Sequence, residues 1–432
     1  MKTRHAASRR SGRATVRQLR RGLLAGLMAC AAHGSLWAQA DSPLQQDVRE
    51  AVLRVPVAVL DAFGREVSGE LPVTLFRPEG AGPHPLVIIS HGRNTETRAS
   101  YPRQRFESAA RFFLRKGFVV AVPLRLGYGE LASRGDPEDS IACNSPRYAP
   151  AVTAAAQQII KVAKYLAAEA FVDPNRLVLV GQSVGGISTL AAAALRPPGL
   201  VAAINFAGGH GGSPVNHRGE PCQSAQLDRL YARMGALNAG SGSADGDGAD
   251  ASADATTPPP LRQTSPPRAA TPTLWVYTEN DHYFSPRHSG NWAQMYRQAG
   301  GVADYRLLPA IGDDGHKLFS AANDVWQPMV DAFLAPLGFA QPGLLQPPAA
   351  SRFAALDDES ALPVRSAAAL DGYRRFLASK PPRAYVLNKS GQWGYASGDD
   401  AMSRALSFCQ RRSGKPCDFY AVNEDVVWKD NQ

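Results

Sequence analysis

Outside its first 40 residues, the sequence lacks an excess of basic or acidic side chains, and this lack argues against binding to nucleic acid. The 432 residues include 47 basic and 38 acidic side chains, a formal net charge of +9 at pH 7. Eight of the basic residues and none of the acidic ones lie in residues 1–40, which leaves 39 basic against 38 acidic residues in the rest. A nucleic-acid-binding domain carries a basic patch on its folded surface. We therefore expect no nucleic-acid partner.

Long apolar runs and clustered metal ligands are also missing. The apolar stretch at residues 22–32 is too short to span a bilayer, for which about 20 residues are needed. Cysteine and histidine do not occur together at the spacings typical of zinc sites. The sequence thus predicts neither a stable membrane span nor a metal site.

Residues 1–40 resemble a targeting segment rather than part of a fold. A basic region ends at Arg20 and Arg21, an apolar stretch follows, and Ala38 and Ala40 supply the small side chains that signal peptidase accepts. We predict a signal peptide and a mature protein exported to the periplasm or the extracellular space. The arginine pair fits the twin-arginine route, and the general secretion route is equally compatible.

Cysteine is scarce, with five residues in the whole chain. Cys30 lies in the predicted signal peptide, where a lipid anchor is a minor alternative. The other four, an even number in an exported protein, indicate two disulfides, which allow three pairings. Cys409 and Cys417 are close in sequence and far from the others, which favours Cys409–Cys417 with Cys143–Cys222. Buried free thiols are the alternative.

The remainder of the chain alternates between strand-like and helix-like segments. Residues 52–60 and 70–77 are β-branched and partly alternating, which predicts two antiparallel edge strands. Continuous apolar runs, typical of strands covered on both faces, follow at 86–90, 118–122, 177–180, 200–205, 273–277 and 305–308. Helix-like segments lie between them at 102–116, 148–169 and 184–195. This order predicts an α/β fold, a mostly parallel sheet with helices on both faces.

One segment interrupts the α/β pattern of the domain predicted for residues 41–339, and a second segment follows that domain. Residues 236–271 are rich in Gly, Ala, Ser, Asp and Pro, and they contain too little apolar surface to offset the entropy of ordering. We interpret them as a flexible surface insertion, with a substrate lid as the less favoured alternative. The proline-containing residues 340–351 are predicted to be a linker.

After this linker, residues 352–432 are predicted to form a small C-terminal α+β accessory domain. The predicted elements are strands at 383–387 and 393–395, a helix at 399–411 and a closing strand at 419–428. No internal repeat is evident.

Residues 177–186, Leu-Val-Leu-Val-Gly-Gln-Ser-Val-Gly-Gly, contain a G-x-S-x-G motif between a buried strand and a helix. In this context the serine lies on a sharp strand-to-helix turn that exposes its hydroxyl above the sheet. Gly181 and Gly185 leave space for the turn, and the N–H of Val184 points toward the oxyanion of acyl transfer. We predict Ser183 as the nucleophile. A phosphate-binding turn is the alternative, but the lysine of a P-loop is absent.

A serine nucleophile needs a base, and in this arrangement the acid and then the histidine follow the serine along the chain. His316 follows the last predicted core strand, within Asp-Gly-His at 314–316. Asp281 follows the preceding strand and is predicted to orient the imidazole of His316. Glu279 and Asp314 are the alternative acids.

The second oxyanion donor is expected in the loop after the first central strand. Gly92 allows close backbone approach there, so the N–H of Gly92 or of Arg93 is the candidate. His91 precedes the nucleophile in the chain, and we interpret it as structural. The side chains that we expect to line the substrate pocket are Arg93, Tyr128, His210, Tyr283 and Phe284.

Four short segments share one pattern: Ser-His-Gly at 90–92, Gly-Gln-Ser-Val-Gly-Gly at 181–186, Asn-Asp at 280–281 and Asp-Gly-His at 314–316. Together they resemble the dienelactone hydrolase-like branch of the α/β-hydrolases, over about residues 50–338. The resemblance implies the α/β-hydrolase fold and a cofactor-free hydrolase that forms an acyl-enzyme. Dienelactone hydrolases proper have a cysteine where this chain has Ser183, so the resemblance does not extend to their substrate.

The leading hypothesis is an exported serine hydrolase that cleaves a small-molecule carboxylic ester or a related acyl compound. Because the same triad cleaves amides, a serine peptidase or amidase is the second hypothesis. A non-catalytic binding protein on a hydrolase scaffold is the third. The intact order of Ser183, Asp281 and His316 argues against it.

Overall fold

The computed structural model describes residues 44–80, 82–240, 269–339, 347–398 and 400–429. The predicted signal peptide, most of the predicted insertion and part of the predicted linker lie outside these residues. Within them, no helix is both long enough and apolar enough to cross a membrane.

The order of strands and helices follows the predicted alternation. The strands are β1 (Ala51–Leu60), β2 (Glu66–Phe76), β3 (His84–Ser90), β4 (Val119–Pro123), β5 (Ile141–Ala142), β6 (Ser145–Pro146), β7 (Val172–Gln182), β8 (Leu200–Phe206), β9 (Thr273–Thr278), β10 (Ala303–Leu308), β11 (Arg383–Leu387), β12 (Trp393–Ser397), β13 (Asp418–Val422) and β14 (Asp425–Val426). The α-helices are α1 (Glu107–Arg115), α2 (Tyr148–Leu166), α3 (Val184–Ala194), α4 (Ser224–Ala239), α5 (Pro286–Gln298), α6 (Leu318–Ala321), α7 (Asn323–Leu334), α8 (Ala367–Ala378) and α9 (Ala401–Ser413). Short 3-10 helices occupy Gln46–Val48, Arg98–Ser100, Gly129–Arg134, Gly315–Lys317, Ala335–Leu337 and Glu359–Ala361.

Eight strands form one sheet in the order β1-β2-β4-β3-β7-β8-β9-β10. β1 pairs antiparallel with β2, and β2 pairs antiparallel with β4. Every later pairing, from β4 across to β10, is parallel. This mostly parallel sheet with its helices is the α/β-hydrolase fold, so the predicted fold class is confirmed.

The two predicted edge strands differ in their position. β1 is an edge of the sheet, but β2 pairs on both sides and is not an edge, so that prediction is half wrong. The other edge is β10, in which most residues are only partly buried. The difference arises because β2 meets β4, which is 43 residues further along the chain when Phe76 is counted to Val119, and no local pattern reports such a pairing.

The centre of the sheet is covered on both faces, which explains its continuous apolar runs. In β3 the side chains of Val87, Ile88 and Ile89 have no exposed surface. Helix α3 is buried along its whole length, and its many alanines allow it to pack closely against the sheet. The start of α3, where Ser183 lies, is therefore held at the carboxyl edge of the central strands.

The predicted insertion is shorter than its composition indicated. Residues 236–239 are the last turn of α4, and the side chain of Asn238 hydrogen-bonds both the N–H and the C=O of Thr271, at 2.9 Å each. Both ends predicted to be flexible are thus part of the packed domain. The small, polar residues at both ends predicted a flexible segment, because composition does not report the hydrogen bonds of Asn238 to Thr271, 33 residues away.

The C-terminal region has its own antiparallel sheet, in the order β12-β11-β13-β14. Aromatic side chains dominate one of its cores, among them Tyr373, Tyr385 and Tyr420. The predicted closing strand at 419–428 is wrong as a single strand, because the chain turns at Asn423 with a positive φ of 54° and returns as β14. Helix α8 was not anticipated by the sequence pattern.

Candidate active site

Ser183 occupies the turn between β7 and α3 in a strained backbone conformation. Its φ of 57° and ψ of −125° lie outside the regions that non-glycine residues favour. Four backbone hydrogen bonds hold this geometry. Ser183 N–H donates to Phe206 O at 2.9 Å, and Ser183 O accepts the N–H groups of Gly186 at 2.8 Å and of Ile187 and Gly209 at 3.2 Å each. The surrounding chain thus over-determines a conformation that is typical of a nucleophile turn.

The glycines of the motif are required by close backbone contacts. A Cβ atom at Gly181 would overlap the carbonyl oxygen of Gly185, and one at Gly185 would overlap that of Ser90. A Cβ atom at Gly92 would lie 3.2 Å from Cβ of Ser183, so Gly92 is in direct contact with the predicted nucleophile. The sequence-based explanation of these glycines therefore agrees with the geometry.

His316 and Asp281 are in contact at the same edge of the sheet. Nδ1 of His316 is 3.0 Å from both carboxylate oxygens of Asp281, and both side chains are almost fully buried. The carboxylate also accepts the N–H of Tyr283 at 2.8 Å and of Phe284 at 3.0 Å. Because the turn after β9 holds it on one side, the carboxylate presents a fixed acceptor to the imidazole.

A side chain that the sequence analysis did not select connects the base to the nucleophile turn. Nε2 of Gln182 donates to the backbone oxygen of His316 at 3.0 Å. No hydrogen bond joins the Ser183 hydroxyl to the His316 ring among the described residues. Tyr283 stacks on that ring with the centroids 4.1 Å apart, and Phe284 meets it edge-on at 5.4 Å. The imidazole is thus fixed by contacts on its face, its edge and its backbone.

The two alternative acids lie elsewhere. Glu279 is exposed, and its N–H continues the sheet by donating to Leu308 O. The carboxylate of Asp314 accepts the backbone N–H of His316 at 3.1 Å and caps the short helix at Gly315–Lys317. Of the three acids, the structure places Asp281 against Nδ1 of His316.

The predicted oxyanion and pocket residues separate into two groups. Val184 and Gly92 flank Ser183, while the Arg93 guanidinium turns to Asp136, with oxygen distances of 3.0 and 2.6 Å. Only the backbone N–H of Arg93 therefore remains a donor candidate. Tyr128 is fully buried and hydrogen-bonds Glu138, so its ring does not face an open pocket.

His210 lies on the loop that contacts the nucleophile turn, next to Gly209. It is buried, and neither ring nitrogen has a hydrogen-bond partner within the described part of the chain. Burial, with a smaller contribution from nearby Arg93, lowers the pKa of His210 to about 3. The imidazole is thus neutral at pH 7, and the residue before it, Gly209, donates its N–H to Ser183 O at 3.2 Å.

The loop after β3 is held by a buried ion pair between residues that no sequence motif connects. Nε of Arg125 lies 2.6 Å from Glu138, and both side chains have no exposed surface. The N–H of Arg125 donates to Nε2 of His91 at 3.2 Å, and its guanidinium donates to His91 O at 2.8 Å. Burial, together with Arg125, holds the pKa of His91 well below its usual value. His91 is therefore a neutral structural residue, as its place in the chain indicated.

Both predicted disulfides are present. Cys143 and Cys222 are joined with their Cα atoms 5.1 Å apart, and Cys409 and Cys417 with theirs 6.2 Å apart. Nε2 of His217 lies 3.4 Å from Sγ of Cys222. These residue types bind metals in other proteins, but a disulfide leaves no thiolate to act as a ligand.

Comparisons with known proteins agree with the fold. A sequence model of the prolyl oligopeptidase family (Peptidase_S9) matches residues 105–210, which include Ser183 but neither Asp281 nor His316. No curated protein is significantly similar to this chain.

Three solved structures illustrate the similarity. Thermogutta terrifontis esterase 2 is 17% identical over 64% of this chain and 92% of its own, with a TM-score of 0.39. A Klebsiella pneumoniae protein described as a dienelactone hydrolase is 18% identical over 66% of this chain and 99% of its own, with a TM-score of 0.40. A puromycin-hydrolyzing peptidase of Mycobacterium tuberculosis is 18% identical over 67% of this chain and 41% of its own, with a TM-score of 0.43. Such distant similarity transfers no substrate.

The residues that match the family model include the nucleophile motif, and the strand order describes the fold that surrounds this motif. Both agree with the resemblance inferred from four short segments. The chain has the α/β-hydrolase fold, and the family match over residues 105–210 is consistent with a serine hydrolase.

Proposed function

We propose that the protein is an exported carboxylic-ester hydrolase with Ser183, His316 and Asp281 as its catalytic triad. The observation that carries the proposal is the contact of His316 Nδ1 with both oxygens of Asp281, at 3.0 Å. This contact leaves Nε2 as the nitrogen that takes a proton. A buried carboxylate at this position favours the productive tautomer and stabilises the imidazolium that forms during the reaction.

The proposed reaction has two halves. The Ser183 oxygen attacks the acyl carbon while Nε2 of His316 takes the hydroxyl proton, and the N–H of Val184, with that of Gly92 or Arg93, stabilises the oxyanion. The imidazolium then gives its proton to the departing alcohol, which leaves an acyl-enzyme. A water molecule then attacks the acyl carbon while His316 takes its proton, and the imidazolium returns this proton to the Ser183 oxygen as the carboxylic acid leaves.

For a triad of this kind, cleavage of an ester is chemically less demanding than cleavage of an amide. An alcohol departs from the tetrahedral intermediate more easily than an amine, which must be protonated first. Residues of the site are nearly closed to solvent, with 9% of Ser183 and 7% of His316 exposed. This burial favours a small acyl group over an extended polymer. The two disulfides support export, because such bonds persist in oxidising compartments.

A serine peptidase is the second candidate, and the family match over residues 105–210 favours it. The name of that family includes cleavage next to proline, so a proline-containing peptide p-nitroanilide is the appropriate amide substrate. The proposed esterase turns over p-nitrophenyl acetate much faster than this peptide. The opposite preference would establish the peptidase.

A fluorophosphonate probe tests the mechanism itself. The probe reacts with an activated serine, and we expect stoichiometric labelling of a peptide that contains Ser183, abolished in Ser183→Ala. Ser188, which is buried on α3 and bonded to Val184 O, provides the matched control, since Ser188→Ala leaves the label in place. Absence of labelling in the folded wild type would favour the binding-protein hypothesis.

A further inference from the structure

A cavity away from the proposed triad lies where the C-terminal region meets helix α1. Its volume is about 410 Å³, within the range of small-molecule sites. It is lined by residues near the end of β2, by α1 and by α9, and none of the lining residues belongs to the proposed triad. We call the four arginines that line it, Arg77, Arg111, Arg115 and Arg404, the arginine cluster.

The carboxylates nearby neutralise the arginine cluster only in part. Asp47 lies 2.7 Å from Arg111 and 3.4 Å from Arg404, so one acid serves two arginines, and Glu107, on the same helix, lies 3.4 Å from Arg111. Asp400 is 3.9 Å from Arg115, at the limit of an ion pair.

Arg77 forms no ion pair with any carboxylate of the described residues, and its guanidinium lies over the Phe171 ring at 5.1 Å. Three carboxylates also line the cavity, those of Asp47, Glu79 and Asp400, so its four arginines leave a formal charge of +1, which favours an anion.

Hydrogen-bond donors around the cavity are unsatisfied. The Nε atoms of Arg77, Arg111 and Arg115 are buried without a hydrogen-bond partner among the described residues. The hydroxyl of Ser407, on α9, is also buried and has no hydrogen-bond partner among the described residues. A buried donor without a partner costs about 1–3 kcal/mol, and a charged one costs more. Four such donors around one cavity indicate an acceptor-rich ligand.

Repulsion between the like charges of the arginine cluster also favours an anionic ligand. Arg111 and Arg115 are one turn apart on α1, where like charges destabilise a helix. Burial, followed by the charge of Arg111, lowers the pKa of Arg404. A bound anion would relieve this repulsion in the way that Arg–phosphate pairs do elsewhere.

We propose that this cavity binds a small phosphate-bearing molecule, whose phosphate oxygens accept hydrogen bonds from Arg77, Arg111 and Arg115. A phosphate dianion offers several acceptors to several guanidinium groups, which a single carboxylate does not. The volume exceeds that of phosphate alone, so the ligand is a phosphate ester of a small organic group. Since α1 and α9 both line the cavity, the ligand bridges the two parts of the chain. The proposal is independent of the reaction at Ser183.

Thermal unfolding of the full mature protein tests this proposal. Inorganic phosphate and glycerol 2-phosphate are compared with sodium chloride at matched ionic strength, with affinities from isothermal titration calorimetry. Both phosphates raise Tm and chloride does not, because a ligand that binds only the folded state stabilises it. Glycerol 2-phosphate binds more tightly than inorganic phosphate.

Two variants locate the site. Arg77→Gln removes a cation without breaking an ion pair, and Ser407→Ala removes an unpaired hydroxyl. Arg77→Gln weakens phosphate binding about tenfold and Ser407→Ala weakens it less. Arg229→Gln, which loses an exposed charge on α4, binds as the wild type does.

Three results would overturn the proposal. One is a Tm shift equal to that in chloride, and another is an equal response of Arg77→Gln and wild type. The third is binding to vesicles of anionic phospholipid without any response to the soluble phosphates, which would indicate a membrane surface instead. Turnover of p-nitrophenyl acetate is measured in parallel, and the proposal predicts that Arg77→Gln leaves it unchanged.

Discussion

The side-chain amide of Gln182 donates a hydrogen bond to the backbone oxygen of His316 at 3.0 Å. The residue before the proposed nucleophile thus holds the loop that carries the proposed base. We expect Gln182 to be a positioning residue, because it contacts the loop and not the reacting atoms.

Replacing this donor tests the positioning role. Gln182→Glu puts a carboxylate against the His316 carbonyl, and we expect kcat to fall about tenfold while KM changes little. The pH dependence of kcat shifts as well, because the environment of the imidazole changes. Gln298→Glu adds the same charge on an exposed position of α5 and is expected to behave as wild type. Equal losses in both variants would remove the positioning role.

The triad assignment predicts a pattern of losses rather than one loss. Ser183→Ala and His316→Ala each lower kcat on p-nitrophenyl acetate by about 10⁴-fold or more, and the double variant is no worse. The reason is that triad members act as a unit, and the residual rate comes from binding and the oxyanion donors. Circular dichroism checks that each variant is folded. Near wild-type kcat in Ser183→Ala would refute the mechanism.

The acid is tested separately. Asp281→Asn keeps the shape of the side chain but removes its charge, and we expect a loss of roughly three to four orders of magnitude in kcat. Glu279→Gln, at an exposed position two residues earlier, is the matched control and retains activity. If Glu279→Gln is the inactive variant, the acid assignment moves to Glu279.

The buried neutral His210 predicts a pH dependence of stability. Its pKa is about 3 in the folded protein, whereas an unfolded histidine titrates near 6.5. The unfolded state therefore binds a proton first as pH falls, so this group lowers stability from about pH 6.5 toward pH 3, by up to roughly 1.4 kcal/mol per pH unit. Urea unfolding at pH 7 and pH 5 measures the slope, which His210→Gln reduces. An unchanged slope in that variant would assign the effect to other groups.

The two disulfides are expected to differ in their contribution to stability. Cys143–Cys222 closes 79 residues and Cys409–Cys417 closes 8. In the chain-entropy model these loops correspond to roughly 4.5 and 2.5 kcal/mol. In urea unfolding, the double variant Cys143→Ala/Cys222→Ala is therefore less stable than the double variant Cys409→Ala/Cys417→Ala. It also loses activity, since the Cys143–Cys222 bond braces loops near the site. Equal destabilisation of the two variants would show that loop length does not determine how much each disulfide stabilises the protein.

The 28 residues between Gly240 and Ala269 are expected to be dispensable for stability. Asn238 and Thr271 already join the chain on either side of them. Loop-closure entropy changes by only about 0.6 kcal/mol for each doubling of length. Deleting residues 241–268 thus alters the free energy of unfolding by less than Asn238→Ala, which leaves buried backbone groups unpaired. A cooperative loss above about 3 kcal/mol on deletion would contradict this.

Local sequence was sufficient for the eight strands of the large sheet, for the turn at Ser183 and for the pairing of cysteines, because strand-to-helix patterning and spacing report these features. It did not reveal Gln182, whose partner is 134 residues away, or the clamp at Asn238. Tyr128 was expected in the pocket because it follows a strand, but its hydroxyl is taken by Glu138. Such features depend on which distant residues meet, and an isolated side chain gives no sign of its partner.

The open edge of the large sheet has a consequence for how the protein behaves at high concentration. Among the described residues no strand pairs with the outer side of β10, and the apolar side chain of Leu307 is exposed on this strand. Beside it, Arg306 and Asp304 form an exposed ion pair at 2.8 Å on the same strand. Charged side chains on an edge disfavour the addition of a strand from another molecule. The pair therefore acts against edge-to-edge aggregation, and neutral replacements at both positions would make the purified protein harder to concentrate.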